Sequence, residues 1–304
     1  MGHMGDDISS RPLRLLTGAE QRAIVSELVK RLTIEFRCRD RGGIYAMTQK
    51  EMAFNSNKIE GSTLTAEQTA SLFDTGTLIG TEETVFRLRD IEEMSGHFAM
   101  FNEMLQTWDM PLTETLIKGY HYRFKAGVFE DMANGYPAGD YKNRANTVSD
   151  ITTARPDQVR GLMSELLDGY NSIDSVDLRT LAWFHAELER IHPFQDGNGR
   201  VGRMVLFKEC LKNGIIPVII RDTEKGLYYH ALNKAQNGHD LTYLTSLFER
   251  EQEAYHKILQ GSLFDHDRQD DTAAAWPPGP EPACDMSNGH SSSGIGLSDD
   301  DLSL

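Results

Sequence analysis

Twelve residues in the second half of the chain interrupt two runs of helical character. Leu181, Phe184, Leu188 and Ile191 step by three, four and three, the spacing of one helix face. Val201, Met204, Val205, Phe207 and Leu211 are apolar enough to bury a second helix. Between and into them runs His192-Pro193-Phe194-Gln195-Asp196-Gly197-Asn198-Gly199-Arg200-Val201-Gly202-Arg203. Pro193 disfavours the helical conformation at His192, so the first helix ends there, facing a loop. Asp196-Gly197-Asn198-Gly199 is a tight turn whose glycines permit backbone conformations closed to other residues. The second helix starts near Asn198.

The rest of the chain reads the same way. Helix-like stretches cover 18–37, 46–60, 65–74, 82–107, 111–126, 156–171, 176–191, 199–213, 226–237 and 240–260. No βαβ rhythm or solenoid repeat appears. Thr65 with Gln68 spells a capping box, and Gly61 and Asn213-Gly214 can close helices. Only 132–148 resists: Asn134-Gly135, Pro137 and Gly139 precede a polar run containing Tyr, Thr and Val, which predicts a hairpin or extended flap. The expected fold is all-α with a short β-hairpin flap. Of the formal net charge of −15 over 304 residues, −8 falls after residue 260, among prolines and serines. Such a tail, 261–304, cannot bury enough apolar area to offset its ordering entropy and is expected to be disordered.

Charge also limits partners. An acidic chain is a poor nonspecific ligand for nucleic acid or an anionic membrane. The longest apolar run, Ile215–Ile220, is far short of the roughly 20 residues that span a bilayer. Met1-Gly2-His3-Met4 reads as an expression remnant, and no secretion signal follows it. Cys38, Cys210 and Cys284 spell neither a disulfide framework nor a zinc knuckle, so a reducing, cytoplasmic setting is expected.

The loop has the parts of an anion site. Small residues at a helix N-terminus aim free N–H groups outward, and the macrodipole favours negative charge there. Arg200 and Arg203, three apart, share a helix face. Two guanidinium forks beside an amide nest suit a polyphosphate. Asp196 can hold Mg²⁺, which prefers one or two carboxylates with phosphate oxygens. His192 titrates near neutrality and can take a proton from an incoming hydroxyl. Singly, a helix-end histidine, a turn and paired arginines are commonplace; within twelve residues they amount to the parts of phosphoryl or nucleotidyl transfer.

HPFQDGNGRVGR resembles the Fic-family signature H-P-F-x-[D/E]-G-N-G-R-x-x-R at every fixed position. Leu181-Ala182-Trp183-Phe184-His185 and Tyr228-Tyr229 with Ala231-Leu232 and Ala235 are similar to that family's flanking helices. Gly139-Asp140-Tyr141-Lys142 with Val148 looks like its flap. Ser56-Asn57-Lys58-Ile59-Glu60-Gly61 resembles the inhibitory pattern [S/T]-x-x-x-E-[G/N] of the subgroup whose inhibitory helix precedes the core. The resemblance implies a Fic domain over 45–260, with inhibitory helix 46–61, flap 132–148 and catalytic loop 192–203, after a leading segment 1–44.

It further implies an autoinhibited protein adenylyltransferase, moving AMP from ATP to a Ser, Thr or Tyr hydroxyl of a target protein held by the flap, and modifying itself. By that resemblance His192 is the general base and Asp196 holds Mg²⁺ across the ATP phosphates. Gly197, Asn198 and Gly199 form the anion hole; Arg200 grips the β/γ end; Arg203 holds the γ-phosphate or is taken by Glu60, with Ser56 in the inhibitory pattern. Tyr229 and Gln236 lie where relatives contact the nucleotide. Lys142 replaces a frequent arginine, Gln236 a frequent asparagine, and one extra residue precedes Asp240, so GTP or UTP as donor stays open.

Three function classes remain at this point: the transferase, a phosphodiesterase removing AMP at the same site, and a catalytically silent interaction module, against which His192 speaks. A metallohydrolase fails because His185, Glu189 and His192 lack zincin spacing. A homodimer is left open.

Overall fold

The computed structural model describes residues 12–81, 83–148 and 151–263. Residues 1–11, where the expected expression remnant falls, and almost all of the tail 261–304 expected to be disordered lie outside the described residues. Among these are eleven α-helices: α1 (Gly18–Cys38), α2 (Ile44–Ile59), α3 (Ala66–Thr75), α4 (Leu88–Gln106), α5 (Glu114–Lys125), α6 (Phe129–Ala133), α7 (Pro156–Asn171), α8 (Leu178–Ile191), α9 (Asn198–Lys212), α10 (Lys225–Gly238) and α11 (Thr242–Leu263). The fold class is all-α, as expected. No helix among the described residues is long and apolar enough to cross a membrane.

Local chemistry sets the ends. Thr65 and Gln68 form the expected capping box on α3, and Thr17 with Glu20 forms another on α1. Gly61 (φ 90°) and Gly214 (φ 67°) adopt the left-handed conformation after α2 and α9. The helix expected from residue 82 begins at Leu88 instead. Arg87, its N-cap, donates to the Gly61 carbonyl at 2.6 Å and pairs with Asp90, which fastens the preceding segment to the end of α2.

The flap expectation needs correcting in position. Its first residues complete the short helix α6, and Gly135 (φ 68°) and Gly139 (φ 77°) turn the chain. The strands are two residues each, β1 (Thr147–Val148) and β2 (Ile151–Thr152), antiparallel, with Thr147 opposite Thr152 and Val148 opposite Ile151. The hairpin therefore extends past residue 148.

α9 runs through the middle. Thirteen of its fifteen residues are buried, polar ones included, which is why its sequence has no clean apolar stripe. Its Phe207 joins Phe194, Phe101, Phe124, Tyr120 and Phe248 in one apolar cluster, all at or below 1% exposure. Leu28 and Leu32 of α1 belong to the same apolar cluster, so packing is continuous across the residue 45 boundary expected from sequence. The α8–α9 connection thus emerges from a rigid centre and carries the loop 192–197.

Candidate active site

The loop is held from several sides. Asn198 Oδ1 accepts from Phe194 N–H at 2.8 Å, and its Nδ2 donates back to the Phe194 carbonyl at 2.9 Å. The Asn198 side chain is therefore a staple of the turn; only its backbone N–H is left for an anion hole. Phe194 lies face to face with the His121 ring at 3.9 Å. Gly139 N–H donates to His121 Nδ1 at 2.9 Å, so His121 Nε2 carries the proton and donates to the Asp196 carbonyl at 3.0 Å. Gly197 takes φ 82°, and a Cβ there would stand 2.9 Å from the Phe124 ring. The flap completes the clamp: Lys142 N–H donates to the Pro193 carbonyl at 2.9 Å, and Asn146 Nδ2 reaches the carbonyls of Phe194 and Gln195 at 3.2 and 3.3 Å.

His192 caps α8 in the left-handed conformation, φ 53°. Its Nδ1 faces the Glu189 carbonyl at 3.3 Å. A carbonyl only accepts, so Nδ1 carries the proton and Nε2 keeps its lone pair. Burial foremost, then the Lys142 ammonium, pushes its pKa down to about 4. The imidazole is neutral at neutral pH and can act as a base. The Lys142 ammonium is buried; among the described residues it donates to the neutral oxygens of Asn146 (2.7 Å) and Thr153 (3.0 Å), and burial pushes its pKa down to about 8.

Asp196 is held at one oxygen. Lys125, Arg89 and Arg200 reach Oδ2 at 2.6, 2.7 and 3.3 Å. Burial alone would raise its pKa, but Arg200 and Lys125 outweigh it and hold the carboxyl well below the usual range. Arg200, expected at the β/γ end of the nucleotide, is 5% exposed and paired with Glu93 at 2.5 Å and with Asp196. Its Nε is buried without a partner among the described residues.

Behind the first turn of α9, whose amides have no carbonyl one turn earlier to bond, lies Glu60, the C-cap of α2. Arg203 Nη2 donates to Glu60 Oε1 at 2.7 Å and to the Ser56 carbonyl at 2.9 Å; Arg203 Nε donates to Ser56 Oγ at 2.9 Å. Arg203 Nη1 is buried with no partner among the described residues. Burial would raise the Glu60 pKa, yet Arg203 and then Arg200 lower it, so Glu60 stays charged. Gly199 is what lets it in: a Cβ there would lie 2.3 Å from Glu60 Oε1. Tyr229, 42% exposed, sits by the same helix end, its hydroxyl 3.4 Å from the Ile59 carbonyl. Gln236 is set apart: it is 8% exposed and its amide donates to the Ala186 carbonyl at 3.2 Å, in the α8–α10 packing.

Sequence reasoning missed Arg89, Glu93, His121 and Lys125, and met Glu189 only in the rejected zincin pattern. Glu189 Oε1 is buried and unpartnered among the described residues, and burial pushes its carboxyl up to about 8. Each of the five looks like an ordinary helix residue in sequence.

A neutral base, an anchored carboxylate, a helix N-terminus and a buried guanidinium with a spare N–H are groups whose chemistry suits an anionic ligand. The model of the Fic/DOC family matches residues 111–210 of the chain. The chain is 28% identical over 190 residues to the protein adenylyltransferase Fic of Nematostella vectensis, covering 61% of this chain and 43% of that protein. It is 29% identical over 188 residues to the protein adenylyltransferase Fic of Drosophila willistoni, covering 61% and 36%. The chain thus spans less than half the length of these curated relatives. Among solved structures, a Fic domain-containing signalling protein from Bacteroides thetaiotaomicron is 25% identical with a TM-score of 0.58, covering 80% of this chain and 92% of that one. Fic-1 from C. elegans, residues 134–508, shares the fold at 22% identity and a TM-score of 0.58, over 81% of this chain and 73% of that one.

Proposed function

We propose that this chain is an autoinhibited protein adenylyltransferase, transferring AMP from ATP to a Ser, Thr or Tyr hydroxyl of a target protein and to itself. The observation that carries the reading is the convergence of a neutral His192, Asp196 and the α9 N-terminus on one face, with Arg203 already taken by Glu60. His192 Nε2 takes the hydroxyl proton as the oxygen bonds to the α-phosphorus. The bond to the bridging oxygen breaks, and pyrophosphate leaves. The backbone of Gly197, Asn198 and Gly199 receives phosphate oxygens, Arg200 orders Asp196 and lends its charge, and Arg203 receives the γ-phosphate once Glu60 has left. Tyr229 flanks the nucleotide at the end of α2. Gln236 supports α10 rather than touching the base.

Mg²⁺ would be held by Asp196 Oδ1, the oxygen its three cations leave alone, and would neutralise charge across the phosphates. An oxygen-only donor beside a polyphosphate suits that hard cation. The target would lie along the flap as an added strand, through main-chain hydrogen bonds.

Inhibition follows from the fork. A carboxylate on Arg203 removes the donor that the γ-phosphate needs, so the α-phosphorus is displaced from the hydroxyl, and about 1 Å of misplacement costs roughly 10² in rate. The test uses the full chain and its Glu60→Gly variant with ATP labelled at the α-phosphate, reading label on protein. Glu60→Gly should raise labelling by a factor on the order of ten or more, on hydroxyls by mass spectrometry. An unchanged rate sinks the autoinhibition. Glu60 is charged and reaches the space over Gly199, where it can also align a water. A pre-modified acceptor therefore joins the same experiment: loss of AMP that disappears in Glu60→Gly would make removal the principal activity.

A further inference from the structure

Glu93, Asp131 and Asp196 bring carboxylate oxygens within 4.8 Å of one another, the outline of a cage for a hard cation. The cage is filled by the protein's own ammonium. Lys125 Nζ lies 2.6 Å from Glu93, 2.5 Å from Asp131 and 2.6 Å from Asp196, and its side chain is 3% exposed. Arg89 adds a second cation at 2.7 Å from Asp196 and 3.1 Å from Glu93, and Arg200 a third. Three cations thus face three carboxylates. A fourth acid, Glu130, pairs with Arg89 at the rim, 56% exposed.

Their geometry is one-sided. All three cations meet Asp196 at Oδ2 and none at Oδ1. α5 holds Asp196 twice, through its side chain by Lys125 and through its carbonyl by His121, one turn earlier. The carboxylate cannot rotate without breaking several charge-assisted hydrogen bonds, which are about twice as strong as neutral ones.

We infer that Lys125 and Arg89 are positioning residues that lock Asp196 with Oδ1 outward and neutralise the acidic cluster, so that Asp196 takes a divalent cation only together with the polyphosphate that brings it. This rests on the nucleotide reading above. With its charge cancelled from behind, a single outward oxygen offers a cation little by itself. Phosphate oxygens supply the missing ligands. An unoccupied site then does not fill with free metal, and the cation arrives in register with the nucleotide.

The test is a Mn²⁺ titration read by electron paramagnetic resonance on the full chain, with and without α,β-methylene ATP. The wild type should take up Mn²⁺ at millimolar or weaker affinity alone and far more tightly with the analogue. Lys125→Met removes the ammonium from among the three converging carboxylates and should bind Mn²⁺ alone at least about tenfold more tightly than the wild type, from the loss of one adjacent positive charge. Arg89→Gln, at a half-exposed position, should gain about threefold and serves if Lys125→Met does not fold. Tight Mn²⁺ uptake by the wild type without nucleotide overturns the inference, as do folded variants whose metal affinity stays within about twofold of wild type. No uptake by the wild type even with the analogue would strike the nucleotide reading, while the nucleotide-free variants would still decide the role of Lys125 and Arg89.

Discussion

At the scale of single residues, the site depends on protonation states that the surroundings impose. A histidine with an ordinary pKa near 6.5 would keep only about a tenth of its neutral form at pH 5.5. With His192 pushed down to about 4 by burial and Lys142, initial rates of AMP transfer should stay nearly flat from pH 7 to 5.5. A tenfold fall over that range would show that the buried environment does not hold His192 neutral. His192→Ala should lose transfer by roughly 10²–10⁴ while still binding nucleotide, because the phosphate contacts lie elsewhere. Much of this chemistry was legible in sequence because His192, Asp196, Gly199 and Arg203 fall within twelve residues of chain. The residues that tune it were not. Arg89 and Asp196 are 107 positions apart, Lys125 and Asp196 71, and nothing in an i,i+4 pair such as Arg89–Glu93 says which loop it will meet.

At the scale of elements, the flap and the catalytic loop form one piece. Lys142, Asn146 and Arg144 all bond to residues 193–195, so the strand edge that would carry an acceptor is registered against the base. Asn146→Ala removes both bonds to the loop carbonyls and one of the two acceptors for Lys142 Nζ. It should lower kcat/KM for a protein acceptor by about tenfold, the cost of looser placement. Affinity for an ATP analogue should hold. An equal loss in both would mean that the flap serves the nucleotide. Helix ends were readable where a side chain caps them, as at Thr65. The hairpin was misplaced because Tyr, Thr and Val mark an extended run without fixing where its two arms pair. α6 was missed because five residues carry no usable period.

At the scale of the molecule, burial of histidines sets the response to acid. His97, His121 and His185 are each pushed down to about 3, chiefly by burial, and His192 to about 4. Between pH 6.5 and 4.5 the unfolded chain therefore binds up to four protons that the native protein refuses. Glu189, raised to about 8, works the other way, since the native protein holds a proton there that the unfolded chain releases above 4.5. The histidines outnumber it, so stability falls as pH drops through 6.5, by about 1.4 kcal/mol per pH unit for each net proton. The melting temperature should decline steeply from pH 6.5 to 5; a flat profile would mean that these rings are protonated in the native state. The last consequence concerns Glu60. It caps the C-terminus of α2, just past Ile59, fastened by Asn57, by the Arg87–Gly61 contact and by Thr63 on Asp90. Helix ends open locally at a small fraction of the cost of global unfolding. On the proposed autoinhibition, the idle rate is then a measure of fraying: whatever seizes or loosens the last turn of α2 would set how often the site stands open, without touching a single group that does the chemistry.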